Sequence, residues 1–449
     1  MPAYLVRFAQ YHVQFRLAEL LSLAKLHNIW LEYNEQEYTD RSAFLVIQLE
    51  NNAAAVDLVS RSILIKDIIE LWAVEGTFES MVDSIKSGSQ WKRPEYKACS
   101  FKFMVQASGI TMSFPQQIER IERFGWLGFD GPIEMHNPDA IFAYFEDYGF
   151  GASEGVATPQ LPLKVYFGLW VSAANRKLVT QYDLKKRGYL GTTSMDAELS
   201  LVMANQALAQ PGSFILDPFV GTGSFLVSCS HFGAYTFGSD IDGRQIRGTM
   251  GKSIETNIDQ YMLHSRVLGS LICDIAHHPW RKGAWWDAIV CDPPYGVRAG
   301  AKKISSAGSG STNKSGKDLT HFKENGEPRY PSTEVYEMED VIVDLVAFAA
   351  AYLVPGGRLV FWLPTLNEQY EPQDIPTHPQ LVLISNSEQS FGKWSRRLIT
   401  MEKVADDALG SNDTHLKDLI SEREAVVRVN SNEKVPGHAR FREKYFGEI

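Results

Sequence analysis

From residue 214 onward, the chain alternates apolar runs typical of buried strands with segments whose apolar residues recur at helical spacing. Strands are predicted at residues 214–217, 235–239, 267–273, 287–291, 358–363, 382–385 and 398–402. Helices are predicted at residues 223–232, at residues 244–259 with a stripe of Ile246, Met250, Ile254 and Ile258, and in an apolar stretch that ends near residue 353. This alternation predicts an α/β fold with a mostly parallel, helix-covered sheet.

The first half of the chain lacks that regularity. Strands are predicted at residues 4–8, 43–49, 100–107 and 164–172, and helices at residues 15–26, 53–59 and 115–124. The segment is rich in aromatic residues but holds no cluster of catalytic type. We interpret it as a small α+β module that binds or positions a substrate.

Length, charge and cysteine usage narrow the class of protein. A chain of 449 residues is too long for one core, so two or three domains are expected. The net charge of −10 argues against a simple nucleic-acid coat, although an enzyme with a local basic surface remains compatible with it. Four scattered cysteines without a C-x-x-C pair predict no metal site and fit a reducing compartment. With no apolar run of about 18 residues, we expect no membrane contact and a cytoplasmic or nuclear location.

A glycine-containing loop, residues 217–223 (DPFVGTG), follows the first strand of the regular half. Gly221 and Gly223 allow a tight turn and a close approach of a ligand to the backbone. The helix that follows would present unpaired N–H groups to an anion such as a carboxylate. The spacing matches neither the dinucleotide-binding nor the P-loop pattern, so pyrophosphate is not the expected ligand. A turn that serves only helix–strand packing is the alternative.

Two further acids follow the next strands. Asp240 comes 23 residues after Asp217, where nucleotide-binding α/β folds bind ribose hydroxyls. A helix cap is the alternative for this part of the chain, and Asp242 is the better capping candidate. Asp274 can accept a hydrogen bond from an adenine amine. Together with the glycine loop, these acids predict an adenosine-shaped site.

The most specific motif is Asp292-Pro293-Pro294-Tyr295, at the end of an apolar strand. The two prolines stiffen the turn, and a carboxylate and a proline carbonyl suit the two hydrogens of an –NH₂ group. Two such acceptors orient the amine lone pair toward a methyl donor, and methyl transfer then depends mainly on positioning. Tyr295 offers a face on which a base can stack. A rigid surface turn is the alternative.

Three other features receive less specific interpretations. His277 and His278 lack metal-ligand partners at zinc spacing, so a solvated turn is preferred to a metal site. Residues 298–333 carry seven Lys or Arg and three acids, which favours a mobile basic loop near the substrate mouth over an inert insertion. Arg396 and Arg397 could contact phosphates or lie on a solvated strand face, and the sequence leaves both open.

These motifs resemble the amino-methyltransferase class of S-adenosylmethionine enzymes, which carry an F-x-G-x-G loop and a [DN]-P-P-[YFW] turn. More narrowly, residues 185–208 (KKRGYLGTTSMDAELSLVMANQAL) resemble the eukaryotic tRNA (guanine-10-N2) methyltransferase catalytic-subunit family. Residues 165–171 (VYFGLWV) and the units before them are similar to its ferredoxin-like and THUMP modules. The resemblance implies a Rossmann-like seven-stranded methyltransferase sheet preceded by an α+β ferredoxin-like/THUMP region. The implied domains are residues 1–90 (ferredoxin-like), 91–178 (THUMP-like, RNA-binding), 179–405 (methyltransferase) and 406–449 (a polar C-terminal extension).

The resemblance also implies roles for individual residues. The residues implied for S-adenosylmethionine are Thr193, Ser194, Met195, Asp217, Phe219, Gly221, Gly223, Asp240 and Asp274. The residues implied for the catalytic turn, which takes a flipped guanine, are Asp292, Pro293, Pro294 and Tyr295. The implied partners are tRNA and a small zinc-bearing activator subunit that forms a heterodimer with this chain. The competing hypotheses are methylation of another RNA guanine or of DNA adenine, and a non-catalytic RNA-binding scaffold with a methyltransferase fold.

Overall fold

The computed structural model describes residues 1–149, 161–295, 301–304, 333–405 and 441. The chain divides into two compact units, residues 1–180 and 181–449. Each is built around a seven-stranded sheet. Among the residues described, none of the helices combines the length and apolar content needed to cross a membrane.

The first unit is a mixed α+β structure. Its strands are β1 (Ala3–Phe8), β2 (Leu31–Tyr33), β3 (Phe44–Leu49), β4 (Ile65–Glu75), β5 (Phe101–Ser108), β6 (Ala140–Asp147) and β7 (Lys164–Ala173). Its helices are α1 (Arg16–Leu26), α2 (Asn52–Val59), α3 (Phe78–Ser87), α4 (Pro94–Ala98), α5 (Phe114–Glu122) and α6 (Lys177–Gln181), the last of which ends at the unit boundary. The strand order is β2-β3-β1-β4-β7-β6-β5, antiparallel except for β5 and β6.

Strand β4 runs through the middle of this sheet and was not predicted from the sequence. It carries Asp67 and Glu70, which look solvent-facing in a sequence pattern but are buried. Asp67 forms an ion pair with Arg7, and Glu70 pairs with Arg93 at 3.1 Å. The paired charges make burial within a strand tolerable. Because β4 joins strands from both sides of residue 90 in one sheet, the division into domains 1–90 and 91–178 stays a prediction.

The second unit has the predicted β/α alternation. Its strands are β8 (Phe214–Asp217), β9 (Tyr235–Asp240), β10 (Val267–Ile272), β11 (Trp286–Cys291), β12 (Lys302–Ile304), β13 (Thr333–Val335), β14 (Leu353–Leu366), β15 (Leu381–Ser390) and β16 (Trp394–Lys403). Its helices are α7 (Ala197–Gln206), α8 (Ser224–His231), α9 (Gly243–Arg247), α10 (Ile254–Tyr261) and α11 (Met338–Tyr352).

The large sheet of this unit has the order β10-β9-β8-β11-β14-β16-β15. The pairs from β10 to β14 are parallel, and β16 is antiparallel to both of its neighbours. Consecutive residues of β14 face opposite sides of the sheet. Phe361 packs into the core cluster formed with α11, whereas the Trp362 indole donates to Met203 Sδ of α7 at 3.1 Å. The predicted Rossmann-like, seven-stranded and mostly parallel sheet, helix-covered on both faces, is confirmed.

The single helix predicted at residues 244–259 is wrong. The chain forms α9 and α10 instead, with a turn between them in which Gly248 has φ 70°. A Cβ at Gly248 would lie 1.8 Å from the carbonyl oxygen of Lys252, so the chain closes on itself there. Met250, predicted to be in the apolar stripe, is 97% exposed in that turn, whereas Ile254 and Ile258 are buried as expected.

Most of two predicted segments falls outside the described residues. The predicted basic loop at 298–333 is described only at 301–304 and at 333, where β12 and β13 pair antiparallel. The predicted polar extension at 406–449 is described only at Phe441, which is buried.

Candidate active site

The glycine loop and the Asp-Pro-Pro-Tyr turn leave neighbouring parallel strands at the same edge of the sheet. Leu216 of β8 lies beside Ile289 of β11, so the ends of the two strands are adjacent. This is the point where the strand order reverses, and ligands bind outside such points in α/β sheets. Burial raises the pKa of Asp217 well above its usual range, and the charges of Asp240 and Asp292 raise it further. The predicted acids of three strand ends therefore interact in one region.

The glycine loop has the conformation that its sequence suggested. Gly221 and Gly223 have φ 49° and 84°, in the left-handed region that favours glycine. A Cβ at Gly223 would approach the Ile254 side chain to 3.2 Å, which accounts for a glycine at the start of α8. A Cβ at Gly221 would meet nothing closer than the Phe219 carbonyl oxygen at 4.0 Å, so the space above Gly221 can admit a ligand.

The carboxyl group of Asp217 fixes this loop from inside. Asp217 is 2% exposed, and its Oδ1 accepts a hydrogen bond from the Phe219 N–H at 3.0 Å. An N–H bond of this type holds the first turn of a loop in place. Asp217 thus shapes the loop, and its side chain is turned into the protein.

Residues 193–195, which were implied to bind the cofactor together with the glycine loop, lie against that loop. The Ser194 hydroxyl is 2.7 Å from the Thr222 hydroxyl, and the Ser224 hydroxyl donates to the Met195 carbonyl oxygen at 3.4 Å. Met195 is buried and Thr193 is exposed. Thr222, which sequence analysis did not single out, is buried and supplies this link. Its position between the two loop glycines was the available signal.

Asp240 holds the glycine loop to the end of β9. Its Oδ2 accepts the Gly221 N–H at 2.9 Å, and its Oδ1 accepts the Asp242 N–H at 2.8 Å. Burial raises the pKa of Asp240, and these two bonds oppose the increase. Because each carboxylate oxygen has two acceptor sites, Asp240 retains capacity for ribose hydroxyls. Asp242, rather than Asp240, caps helix α9, because its Oδ1 accepts a hydrogen bond from the Arg244 N–H at 3.1 Å.

Asp274 is more fully engaged. It is 3% exposed, and its oxygens accept the Ala276 N–H at 3.0 Å and the Ile304 N–H at 2.8 Å. The His277 imidazole lies 3.0 Å from the same carboxylate. Its predicted contact with adenine therefore stays a prediction. Within the described residues, no group of three or more His, Cys, Asp or Glu side chains is placed to hold a metal ion.

The Asp-Pro-Pro-Tyr turn places a half-buried carboxylate at the end of β11. The Tyr295 hydroxyl donates to Asp292 Oδ1 at 2.5 Å, so the tyrosine does more than offer a ring face. Burial raises the pKa of Asp292 from its ordinary value of 3.8 to about 6. The Tyr295 bond and the positive charge of Arg396 both lower it. Asp292 is therefore mostly ionised at neutral pH and can accept hydrogen bonds from an amine.

Aromatic rings surround this turn. The Phe441 ring meets the Tyr295 ring edge-on at a centroid distance of 6.5 Å and the Trp394 ring at 5.7 Å. Trp394 also stacks on the half-exposed Phe391 at 4.5 Å. A partly exposed aromatic surface beside a carboxylate that can accept hydrogen bonds is suited to holding a nucleobase.

The two arginines of β16 have different surroundings. Arg397 pairs with Glu388 at 3.0 Å and lies 3.5 Å from the Tyr370 ring centroid. Arg396 points to the opposite face, where it donates to Gln389 at 2.7 Å and acts electrostatically on Asp292. Sequence analysis left these residues undecided because the pattern of one strand does not show which neighbouring elements cover each face.

The comparisons with known proteins agree with this geometry. Residues 2–176 match the Tmrp11 THUMP N-terminal domain family, and residues 185–307 match the RMKL-like methyltransferase domain family. A Schizosaccharomyces pombe tRNA (guanine(10)-N(2))-methyltransferase is 38% identical, with alignment covering 99% of this chain and 96% of the relative. The chain belongs to the tRNA (guanine(10)-N(2))-methyltransferase family.

Other members of this family align with similar completeness. The Homo sapiens tRNA (guanine(10)-N(2))-methyltransferase TRMT11 is 34% identical, and the alignment covers 99% of this chain and 95% of the relative. The Saccharomyces cerevisiae tRNA (guanine(10)-N(2))-methyltransferase is 38% identical, covering 93% of this chain and 96% of the relative. The family therefore accounts for both halves of the chain, the THUMP half and the methyltransferase half.

Proposed function

We propose that this chain transfers a methyl group from S-adenosylmethionine to the exocyclic N2 of guanosine 10 in tRNA. The observation that carries the proposal is the shared edge of β8 and β11, where the glycine loop and the Asp292 turn meet within a chain of this family. The relatives aligned over nearly the whole chain are named for this reaction.

The residues at the β8 end fit the proposed methyl donor. Gly221 leaves room at the loop, and Asp240 keeps acceptor sites for hydroxyl groups. Ser194 and Thr222 fix the segment that covers the loop, and Asp274 is assigned to the adenine side. When bound there, S-adenosylmethionine would supply an electrophilic methyl group.

The residues at the β11 end act on the amine. The ionised Asp292 carboxylate accepts a hydrogen bond from the guanine N2 amine and, after the nitrogen is alkylated, takes its surplus proton. Pro293 and Pro294 keep this turn rigid, so that the amine is held in line rather than chemically activated. Tyr295 and the neighbouring aromatic rings hold the base once it has left the tRNA stack.

The remaining assignments belong to the same proposal. Residues 1–90 and 91–178 act as ferredoxin-like and THUMP modules that hold the tRNA body, and residues 179–405 carry the chemistry. The chain works as a heterodimer with a small zinc-binding activator subunit and acts in the cytoplasm. The family membership of the N-terminal half supports its role toward tRNA.

The proposal is tested with labelled S-adenosylmethionine and unmodified tRNA transcripts. The full chain is assayed alone and with a candidate zinc-binding subunit, on a transcript with guanosine at position 10 and on one with adenosine there. We expect methylation of the first transcript only, and loss of turnover without loss of tRNA binding in Asp292→Ala. Equal methylation of both transcripts would favour another RNA guanine as the substrate.

The same assay distinguishes tRNA methylation from methylation of DNA and from a non-catalytic role. An active chain that methylates an adenine-containing DNA duplex in preference to tRNA would identify the rival amino-methyltransferase reaction. A chain that binds tRNA but has no turnover with either nucleic acid, with or without the added subunit, would support a non-catalytic scaffold.

A further inference from the structure

Arg396 is held firmly at the edge of the active site. Its guanidinium donates to Gln389, the residue directly opposite on β15, at 2.7 Å. Its Cζ lies 4.2 Å from the centroid of the buried Trp362 ring, and Nη1 is 3.6 Å from Met195 Sδ. Stacking on an aromatic face suits the planar guanidinium and restricts its orientation. The contact with Met195 joins β16 to the segment that covers the glycine loop.

Arg396 lies beside the Asp292 turn in the sheet. Strand β11 ends at Cys291, which pairs with Phe361 of β14, so Asp292 leaves the strand next to Trp362, the ring on which Arg396 stacks. Within the part of the chain that the structure describes, no carboxylate lies within 4.0 Å of this guanidinium, whereas Arg397 pairs with Glu388 at 3.0 Å. Asp292 is the carboxylate whose pKa responds to Arg396, and Tyr295 responds in the same direction. A half-buried cation without an ion-pair partner is costly, which points to a role in the site.

We infer that Arg396 is a positioning residue for methyl transfer. It holds the Asp292–Tyr295 pair in the state that accepts hydrogen bonds from an amine, and it links this pair to residues 193–195, which lie against the glycine loop. This inference rests on the proposed function. Arg396 contacts neither the reacting nitrogen nor the methyl group in this role; it acts through Asp292.

Other groups that face Asp292 do not replace this charge. Tyr295, on the same turn, donates a neutral hydrogen bond. Cys291 precedes Asp292, and burial raises the pKa of its thiol well above its usual range. Asp217, on β8, has a pKa raised in the same direction by burial. Among the groups that interact with Asp292 in the described residues, Arg396 is the one that supplies positive charge.

The test compares four full-length proteins: wild type, Arg396→Met, Arg396→Lys and Arg397→Met. Methionine removes the charge at similar length, lysine restores it, and Arg397→Met removes the neighbouring arginine on the opposite face. The measurement is kcat/KM for tRNA between pH 5 and 9, because this ratio reports ionisation in the free enzyme. Thermal unfolding of each variant is recorded alongside, and Arg396→Gln replaces Arg396→Met if the latter does not fold.

Loss of the positive charge should move the acid limb of the kcat/KM profile to higher pH. The charge of Arg396 lowers the pKa of Asp292. Nearby opposite charges generally lower carboxyl pKa values by about 1–3 units, so we expect the Arg396→Met shift to fall in that range. Starting from a pKa of about 6, this lowers kcat/KM at pH 7 between about 2-fold and about 100-fold, with recovery at high pH. Arg396→Lys and Arg397→Met should keep the wild-type limb.

Two results would overturn the inference while leaving the proposed function intact. An active wild type whose Arg396→Met variant keeps the same acid limb shows that Arg396 does not act on Asp292. A pH-independent loss in kcat/KM, with the slope against log salt concentration reduced by about one, identifies a phosphate contact instead. A wild-type chain that does not methylate tRNA at any pH, with or without the zinc-binding subunit, refutes the proposed function, and this inference with it.

Discussion

Replacement of Asp292 by asparagine is expected to stabilise the protein, because it removes a negative charge from a partly buried position. Burial raises the pKa of Asp292 from 3.8 to about 6, so the folded chain holds this proton more tightly than the unfolded chain does. The wild type therefore loses stability as pH rises between about 4 and about 6, and the full cost is present above that window. Asparagine is neutral, and its amide oxygen can still accept the Tyr295 hydroxyl hydrogen.

The size of the effect follows from the same shift. A difference of about two pKa units, at about 1.36 kcal/mol per unit, corresponds to about 3 kcal/mol as an upper limit at pH 7.5. At pH 5 the Asp292 carboxyl of the folded chain is mostly protonated. The same relation then gives a stability difference between Asp292→Asn and the wild type that is about half as large. We expect Asp292→Asn to be more stable than the wild type by about 1–3 kcal/mol at neutral pH, with a smaller margin at pH 5.

Urea unfolding of the full chain at pH 5 and pH 7.5, followed by fluorescence, measures this difference. Asp242→Asn is the matched control, because the hydrogen bond from Arg244 lowers the pKa of Asp242 and the sign is opposite. That variant should be no more stable than the wild type at either pH. The reasoning is refuted if Asp292→Asn is less stable than the wild type at pH 7.5, or if its gain is the same at both pH values.

Four other substitutions separate contributions within the site. Tyr295→Phe removes the hydroxyl donor to Asp292 and should move the acid limb of kcat/KM up by about one to two pH units. A hydrogen bond to a charged group contributes about 1.5–3 kcal/mol, and one pKa unit corresponds to about 1.36 kcal/mol. An unchanged limb would contradict this. Tyr295→Leu should lower kcat/KM at every pH by about 5- to 150-fold, the equivalent of about 1–3 kcal/mol of base stacking. Gly223→Ala should lower the unfolding free energy by about 1–3 kcal/mol, because its φ is 84° and its Cβ would crowd Ile254. Gly221→Ala, with open space at its Cβ, should cost less stability yet weaken S-adenosylmethionine binding by calorimetry; equal stability losses in the two glycine variants would contradict the assignment.

The sequence was most informative where function depends on local backbone. The glycine loop and the Asp292 turn sit at the ends of short apolar strands, and both their position and their shared edge follow from the β/α order. The bond from the Gly221 N–H to Asp240 could not be read from the pattern, although the candidate acid could.

One local turn and several features set by distant contacts were missed. Met250 fits a helical stripe by spacing alone, but the Gly248 turn ends the helix before it. Asp67 looks like a surface residue, yet its pairing with Arg7 allows it to lie inside the central strand of the first sheet. Arg396 is about a hundred residues from Asp292 in sequence, and only the closing of β16 against β14 brings its charge to the turn.

The acidic residues at the ends of β8, β9 and β11 should also affect turnover, through the binding of cosubstrate and product. The charges of Asp240 and Asp292 both raise the pKa of Asp217, so negative charge lies close to the proposed donor site. A sulfonium is a cation, and the thioether that remains after its methyl group has left is neutral. Coulomb attraction in a partly buried site therefore favours the fresh cosubstrate over the spent one. The carboxylates at this edge should therefore reduce inhibition by the thioether product, because they favour binding of the sulfonium cosubstrate over it.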